Sequence, residues 1–93
     1  MRNKPPNPAE RRSEPRLPAT GRIRLRSSEH PGATLQGILL DVSHSGFRAV
    51  HNLPTLASGQ TVLFEYSGRS GRARVVWTRI DGDQVQSGFF VLP

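Results

Sequence analysis

At 93 residues the chain fits one small domain with a modest core, and the absence of cysteine excludes both a disulfide framework and a thiolate zinc site. Thirteen Lys and Arg oppose seven Asp and Glu for a net charge of +6, and twelve of those thirteen are arginine; the planar guanidinium fork pairs with phosphates and purine edges, so an anionic partner is favoured. No apolar run approaches the roughly 18 residues of a membrane span, and the N-terminus MRNKPPNPAERR lacks the apolar segment of a signal peptide, so a cytoplasmic protein is expected.

Residues 1 to 18 hold five of the eight prolines, many charges and few apolar side chains. Such a composition does not offset the entropy of ordering, and a flexible leader is expected. From residue 19 to 93 short alternating runs are broken by turn residues, with no stretch of helical periodicity. Ile23 and Leu25 alternate with Arg22, Arg24 and Arg26, which predicts a strand with an apolar inner face and an arginine outer face. Glu29-His30-Pro31-Gly32 turns the chain into a second strand, Thr34 to Val42, whose Ile38-Leu39-Leu40 run predicts burial on more than one side. After a turn at Ser43 to Gly46, Phe47, Ala49 and His51 alternate with Arg48 and Val50 in a third strand. A longer loop at Pro54 to Gly59 leads to strands at Thr61 to Tyr66, Arg72 to Arg79 and Val85 to Val91, joined by hairpin turns at Gly68 to Gly71 and Asp81 to Asp83.

Six short strands must hide their edges, and closure does so better than an open sheet. The fold class is therefore all-β: a six-stranded antiparallel β-barrel behind a leader, without a C-terminal helix. Phe47, Phe64, Trp77, Phe89 and Phe90 are the expected large core or rim side chains, with Ile23, Leu25, Leu40, Val62 and Val75 beside them.

Two motifs carry chemistry. Arg12 and Arg16, four apart in the leader and flanked by Arg11, form an Arg-x-x-x-Arg pair; arginine is so abundant here that Arg22 and Arg26 form another, so the spacing alone is weak. Asp41-x-Ser43-x-x-Gly46 is rarer, arising by chance in roughly one such chain in twenty, and it crosses from a strand end into a turn where side chains and backbone N–H groups meet solvent. The plain reading of each is a basic tail and an ordinary turn. A carboxylate, however, can accept the N–H donors of guanine, while an arginine fork addresses its O6/N7 edge or a phosphate.

Together these segments resemble the PilZ domain family from Glu10 to Leu92. The shared features are Glu10-Arg11-Arg12-Ser13-Glu14-Pro15-Arg16, Asp41-x-Ser43-x-x-Gly46, Leu56-x-x-Gly59-x-x-Val62, Val75-Val76-Trp77 and Gly88-Phe89-Phe90. The resemblance implies a barrel of the split-barrel type that binds cyclic di-GMP, with Arg11, Arg12, Arg16, Asp41, Ser43 and Gly46 as ligand residues and a downstream protein as partner. It also implies an output in motility, attachment or polysaccharide production. Binding is expected to fold residues 8 to 18 onto the barrel, and a monomer is expected. Neither a catalytic group nor a cofactor is indicated: Asp41, Ser43 and His44 are near in sequence, but adjacent strand residues point to opposite faces, so they form no triad, and His30, His44 and His51 lack metal-ligand spacing. The rival readings are a small barrel that binds nucleic acid, made less favourable by aromatics at core-like positions, and a ligand-independent adaptor.

Overall fold

The computed structural model describes residues 15–28, 32 and 34–93. They form seven strands and no helix: β1 (Leu17–Pro18), β2 (Arg22–Ser27), β3 (Thr34–Val42), β4 (Gly46–His51), β5 (Thr61–Tyr66), β6 (Arg69–Asp81) and β7 (Gln84–Val91). Every pairing is antiparallel, in the order β3–β2–β5–β6–β7–β4, and a β3–β4 pairing closes the circle. The six-stranded barrel expected from the sequence is thus present, and closure leaves none of its six strands as a bare edge. The short β1 is an addition. It continues the line of β2 along β3, with Leu17 opposite Val42 and Pro18 opposite Asp41.

The period-two alternation of the sequence maps onto the barrel wall. Ile23, Leu25, Leu39, Phe47, Ala49, Val62, Phe64, Ala73, Val75 and Phe89 point inward and form one core. Phe47 is its centre: its ring stacks on Phe89 at 4.7 Å between centroids and meets Phe64 at 5.1 Å in a tilted contact. Aromatic pairs in these geometries add roughly 0.5–1.5 kcal/mol beyond the area they bury.

Several expectations change. Leu39, not Leu40, is the fully inward leucine of β3, while Ile38 is exposed; Phe90 and Trp77 lie on the outer wall, Phe90 45% exposed; and Asp81 pairs with Gln84, so that turn holds only Gly82 and Asp83. The β5–β6 connection is tighter than the Gly68 to Gly71 turn read from sequence. Tyr66 pairs with Arg69, so only Ser67 and Gly68 remain in the loop, both with positive φ (46° and 78°). Two positive-φ residues define the primed turn whose twist matches the flanking strands, and β6 can then begin three residues earlier.

One end of the interior is polar. The buried His51 accepts the Leu53 backbone N–H at Nδ1 (3.1 Å), which leaves the ring proton on Nε2 to donate to Ser87 Oγ at 2.7 Å. Ser87 Oγ in turn lies 2.6 Å from Thr78 Oγ1. A second proton on His51 would set two donors against each other at Nδ1, and burial lowers its pKa from the ordinary 6.5. Because the unfolded chain then binds more protons than the folded one below pH 6.5, stability is complete above that pH and falls as pH drops toward the lowered folded value. Urea unfolding between pH 7.5 and about 5 should show that loss in the wild type and a shallower slope in His51→Gln.

Candidate functional site

A bulge in β3 creates the site. Gly37 and Leu39 face inward, and strict alternation would carry Asp41 into the core. Instead the register with β4 slips: Leu39 lies opposite Ala49 but Asp41 opposite Arg48, so β3 advances two residues while β4 advances one. The extra residue, Leu40, turns Asp41 to the outer wall and returns Val42 to the inside, where it packs against the core.

Although it faces outward, Asp41 is only 5% exposed, because two guanidinium groups cover it. Arg16 Nη1 donates to Oδ1 at 2.9 Å, while Arg48 donates to Oδ2 through Nε at 2.6 Å and also through Nη2. Both carboxylate oxygens are therefore engaged by charge-assisted bonds, and the arginines themselves remain open to solvent, 46% and 38% exposed. Arg16 reaches Asp41 across 25 positions of sequence because β1 delivers it. Pro18 sits opposite Asp41, and Arg16, two residues earlier on the same face, becomes a diagonal neighbour.

The turn after β3 holds the other two motif residues. Ser43 donates its backbone N–H to the Gly46 carbonyl at 2.8 Å, and its hydroxyl reaches the same oxygen at 3.3 Å. Gly46 does not have the positive φ that an ordinary glycine turn would require. Its role is steric: a Cβ there would lie 2.3 Å from the Phe89 carbonyl oxygen, so only glycine lets the turn close against β7. His44 is exposed at the tip.

A second bulge, in β6 between Val75 and Trp77, repeats the device. Val75 pairs inward with Phe89, and Trp77 then pairs with Gly88 on the outer wall. A Cβ on Gly88 would fall 2.4 Å from Trp77 Nε1, so the indole lies directly over this glycine. Arg79 caps the ring at 5.4 Å from its centroid. Trp77, Gly88, Arg48, Asp41 and Pro18 consequently form one lateral row across five strands. An aromatic plane and a carboxylate thus share one wall, with their Cα atoms about 14 Å apart at the usual strand spacing.

Of the six residues singled out by sequence, Arg16 and Asp41 are in direct contact, Ser43 and Gly46 form the adjoining turn, and Arg11 and Arg12 lie outside the described residues. Arg48 was not among them. Its signal was present in the alternation of β4, where it is the one charged side chain between the inward Phe47 and Ala49.

Among protein-family models, the PilZ domain matches residues 10–91. This chain belongs to the PilZ domain family. PilZ domains are binding and adaptor domains whose family ligand is cyclic di-GMP. No curated protein matches the chain. Among the described residues no helix is long and apolar enough to cross a membrane.

The arrangement around Asp41 ranks the cost of its substitutions. Asp41→Ala leaves Arg16 and Arg48 facing each other without a counterion and should lower unfolding free energy by about 1–3 kcal/mol. Arg16→Ala leaves the carboxylate neutralised by Arg48 and should cost less than about 1 kcal/mol, since Arg16 is half exposed. Urea denaturation of the two variants checks that order.

Proposed function

We propose that this PilZ domain is a receptor for cyclic di-GMP that reads the dinucleotide on the wall built around Asp41. The observation that carries the reading is the Arg16–Asp41 contact. It joins the leader motif to the turn motif at one point of the barrel surface, with Arg48 on the other carboxylate oxygen.

Each group has a chemistry that suits the ligand. The carboxylate of Asp41 matches the N1–H and N2–H donors of a guanine, a bidentate acceptor for two parallel donors. Guanine binding in that mode replaces the arginine donors, and the released guanidinium groups of Arg16 and Arg48 then face O6 and N7 or a phosphate. Trp77, fixed flat over Gly88, offers a plane for the second base or for an arginine that follows the ligand. Ser43 sits at the turn where its hydroxyl can exchange the Gly46 carbonyl for a phosphate oxygen. Arg11 and Arg12 precede Arg16 in sequence and add two further forks for the phosphates.

The competition between arginines and guanine for one carboxylate makes binding an exchange, and exchange couples the ligand to the leader. Arg16 changes partner when the dinucleotide arrives, so the segment anchored through β1 rearranges and presents a different charged surface to a downstream protein. Regulation of that partner is the output of the switch. A single bidentate base contact discriminates by roughly 1–3 kcal/mol, whereas micromolar affinity requires about 8 kcal/mol, so several of these groups must act together.

Calorimetric titration with cyclic di-GMP is the test. The wild type should bind in moderate salt, and Arg16→Ala or Arg12→Ala should weaken binding about tenfold to a hundredfold, or 1.4–2.7 kcal/mol. Asp41→Ala should abolish guanine selectivity, so that cyclic di-AMP and cyclic di-GMP bind equally weakly. Retention of wild-type affinity in Asp41→Ala excludes the proposed mode.

A further inference from the structure

A second charged wall lies across the β2, β5 and β6 strands and takes no part in the Asp41 row. Strand pairing places Thr34, Arg26, Leu63 and Arg72 in one lateral row and Gln36, Arg24, Glu65 and Ser70 in the next. Arg22 extends the outer face of β2 and Arg74 that of β6, both exposed. Arg24 pairs with Glu65 at 3.1 Å, whereas Arg26 and Arg72 have no ion pair among the described residues. These two guanidinium groups flank the half-buried Leu63. At the usual strand spacing their Cα atoms are about 10 Å apart. The wall is concave here: a cleft of 620 Å³ is lined by Arg24, Arg26, Leu63, Glu65 and Arg72.

We propose that this wall docks an acidic protein segment, one that sets two carboxylates astride an apolar side chain. Charge complementarity selects the carboxylates, since each free arginine fork takes one bidentately. Leu63 selects the apolar residue between them, the part of the contact that an all-polar anion leaves unused. Two features select protein over nucleic acid. Glu65, one row away and paired with Arg24, interrupts the positive charge, so the two free forks are separate points and not the continuous stripe that a phosphate backbone follows. The two aromatic side chains of β5, Phe64 and Tyr66, pack on the core side and not on this outer face, so bases have no stacking platform on it. Because β2, β5 and the first half of β6 are separate from the Asp41 row, this docking does not depend on the dinucleotide reading, and the barrel can hold ligand and partner at once.

The test uses the full chain and three probes: a fluorescein-labelled peptide built on the repeat Asp-Ser-Leu-Ser, its Asn-Ser-Leu-Ser counterpart, and a labelled mixed-sequence DNA duplex. Anisotropy should rise with the Asp peptide and not with the Asn peptide. Amide shifts on titration should cluster at residues 22–26, 63–65 and 70–74. Charge reversal in the double variant Arg26→Glu, Arg72→Glu should weaken the Asp peptide by about tenfold or more, and the neutral pair Arg26→Gln, Arg72→Gln by less. Thermal unfolding of each variant establishes that it is folded, independently of any dinucleotide titration. Tighter binding of the duplex than of the Asp peptide overturns the proposal in favour of a nucleic-acid surface. Undiminished peptide binding in the folded charge-reversal variant, shifts confined to Arg16, Asp41 and Arg48, or no binding of the Asp peptide overturns it as well.

Discussion

The register slip at Leu40 is the constraint on which the site depends. A strand that kept its alternation would drive the Asp41 carboxylate into a core of phenylalanines, where a charge without partners costs several kcal/mol. With one extra residue in β3 the carboxylate emerges on the outer wall opposite Arg48, and Val42 returns to fill the interior. The bulge therefore serves packing and chemistry together. The matching slip between Val75 and Trp77 works the same way on β6, bringing an indole out of the wall at a point where Gly88 leaves room for it.

From that placement the electrostatics follow. A carboxylate shared by two half-exposed arginines is neutralised without being sealed, so its partners can be exchanged at modest cost. A fully buried pair would be rigid, and an unpaired carboxylate would leave the leader without an anchor. β1 supplies that anchor with only two paired residues, and its Pro18 has no N–H to add to the ladder. Ala19 adds a backbone bond to the Leu40 carbonyl at 3.1 Å, and the Arg16 side chain adds the contact that a ligand can exchange. In the proposed receptor, a ligand that competes for Asp41 acts on the weakest-held strand of the sheet.

The barrel was legible because its signals are local and repeated: arginine–aliphatic alternation in β2, Phe47 and Ala49 in β4, and turn residues between strands. Strand number, closure and most of the core follow from these. The two slips of register were not legible. A bulge adds one residue without a compositional mark, and Ile38-Leu39-Leu40 reads equally well with Leu39 or Leu40 inside. An ordinary turn uses its glycine for conformational freedom, but the constraint on Gly46 is a carbonyl of β7, 43 positions later. Arg48 went unnoticed because the motif pattern ends at Gly46, and only the β3–β4 pairing shows that its fork meets Asp41. The seventh strand escaped for a similar reason: Leu17 and Pro18 carry no β signature, and β3 alone defines their place.

The most direct test of the carboxylate exchange observes the guanidinium N–H resonances that meet Asp41, Nη1 of Arg16 and Nε of Arg48, by NMR while cyclic di-GMP is added. The account predicts that both leave their Asp41-bonded positions along one saturation curve that coincides with calorimetric binding. It also predicts that cyclic di-AMP, which lacks the guanine N1–H and N2–H pair, does not reproduce the change. Saturable binding of cyclic di-GMP with both resonances unmoved would contradict it, since Asp41 would then keep its arginines while the ligand bound elsewhere.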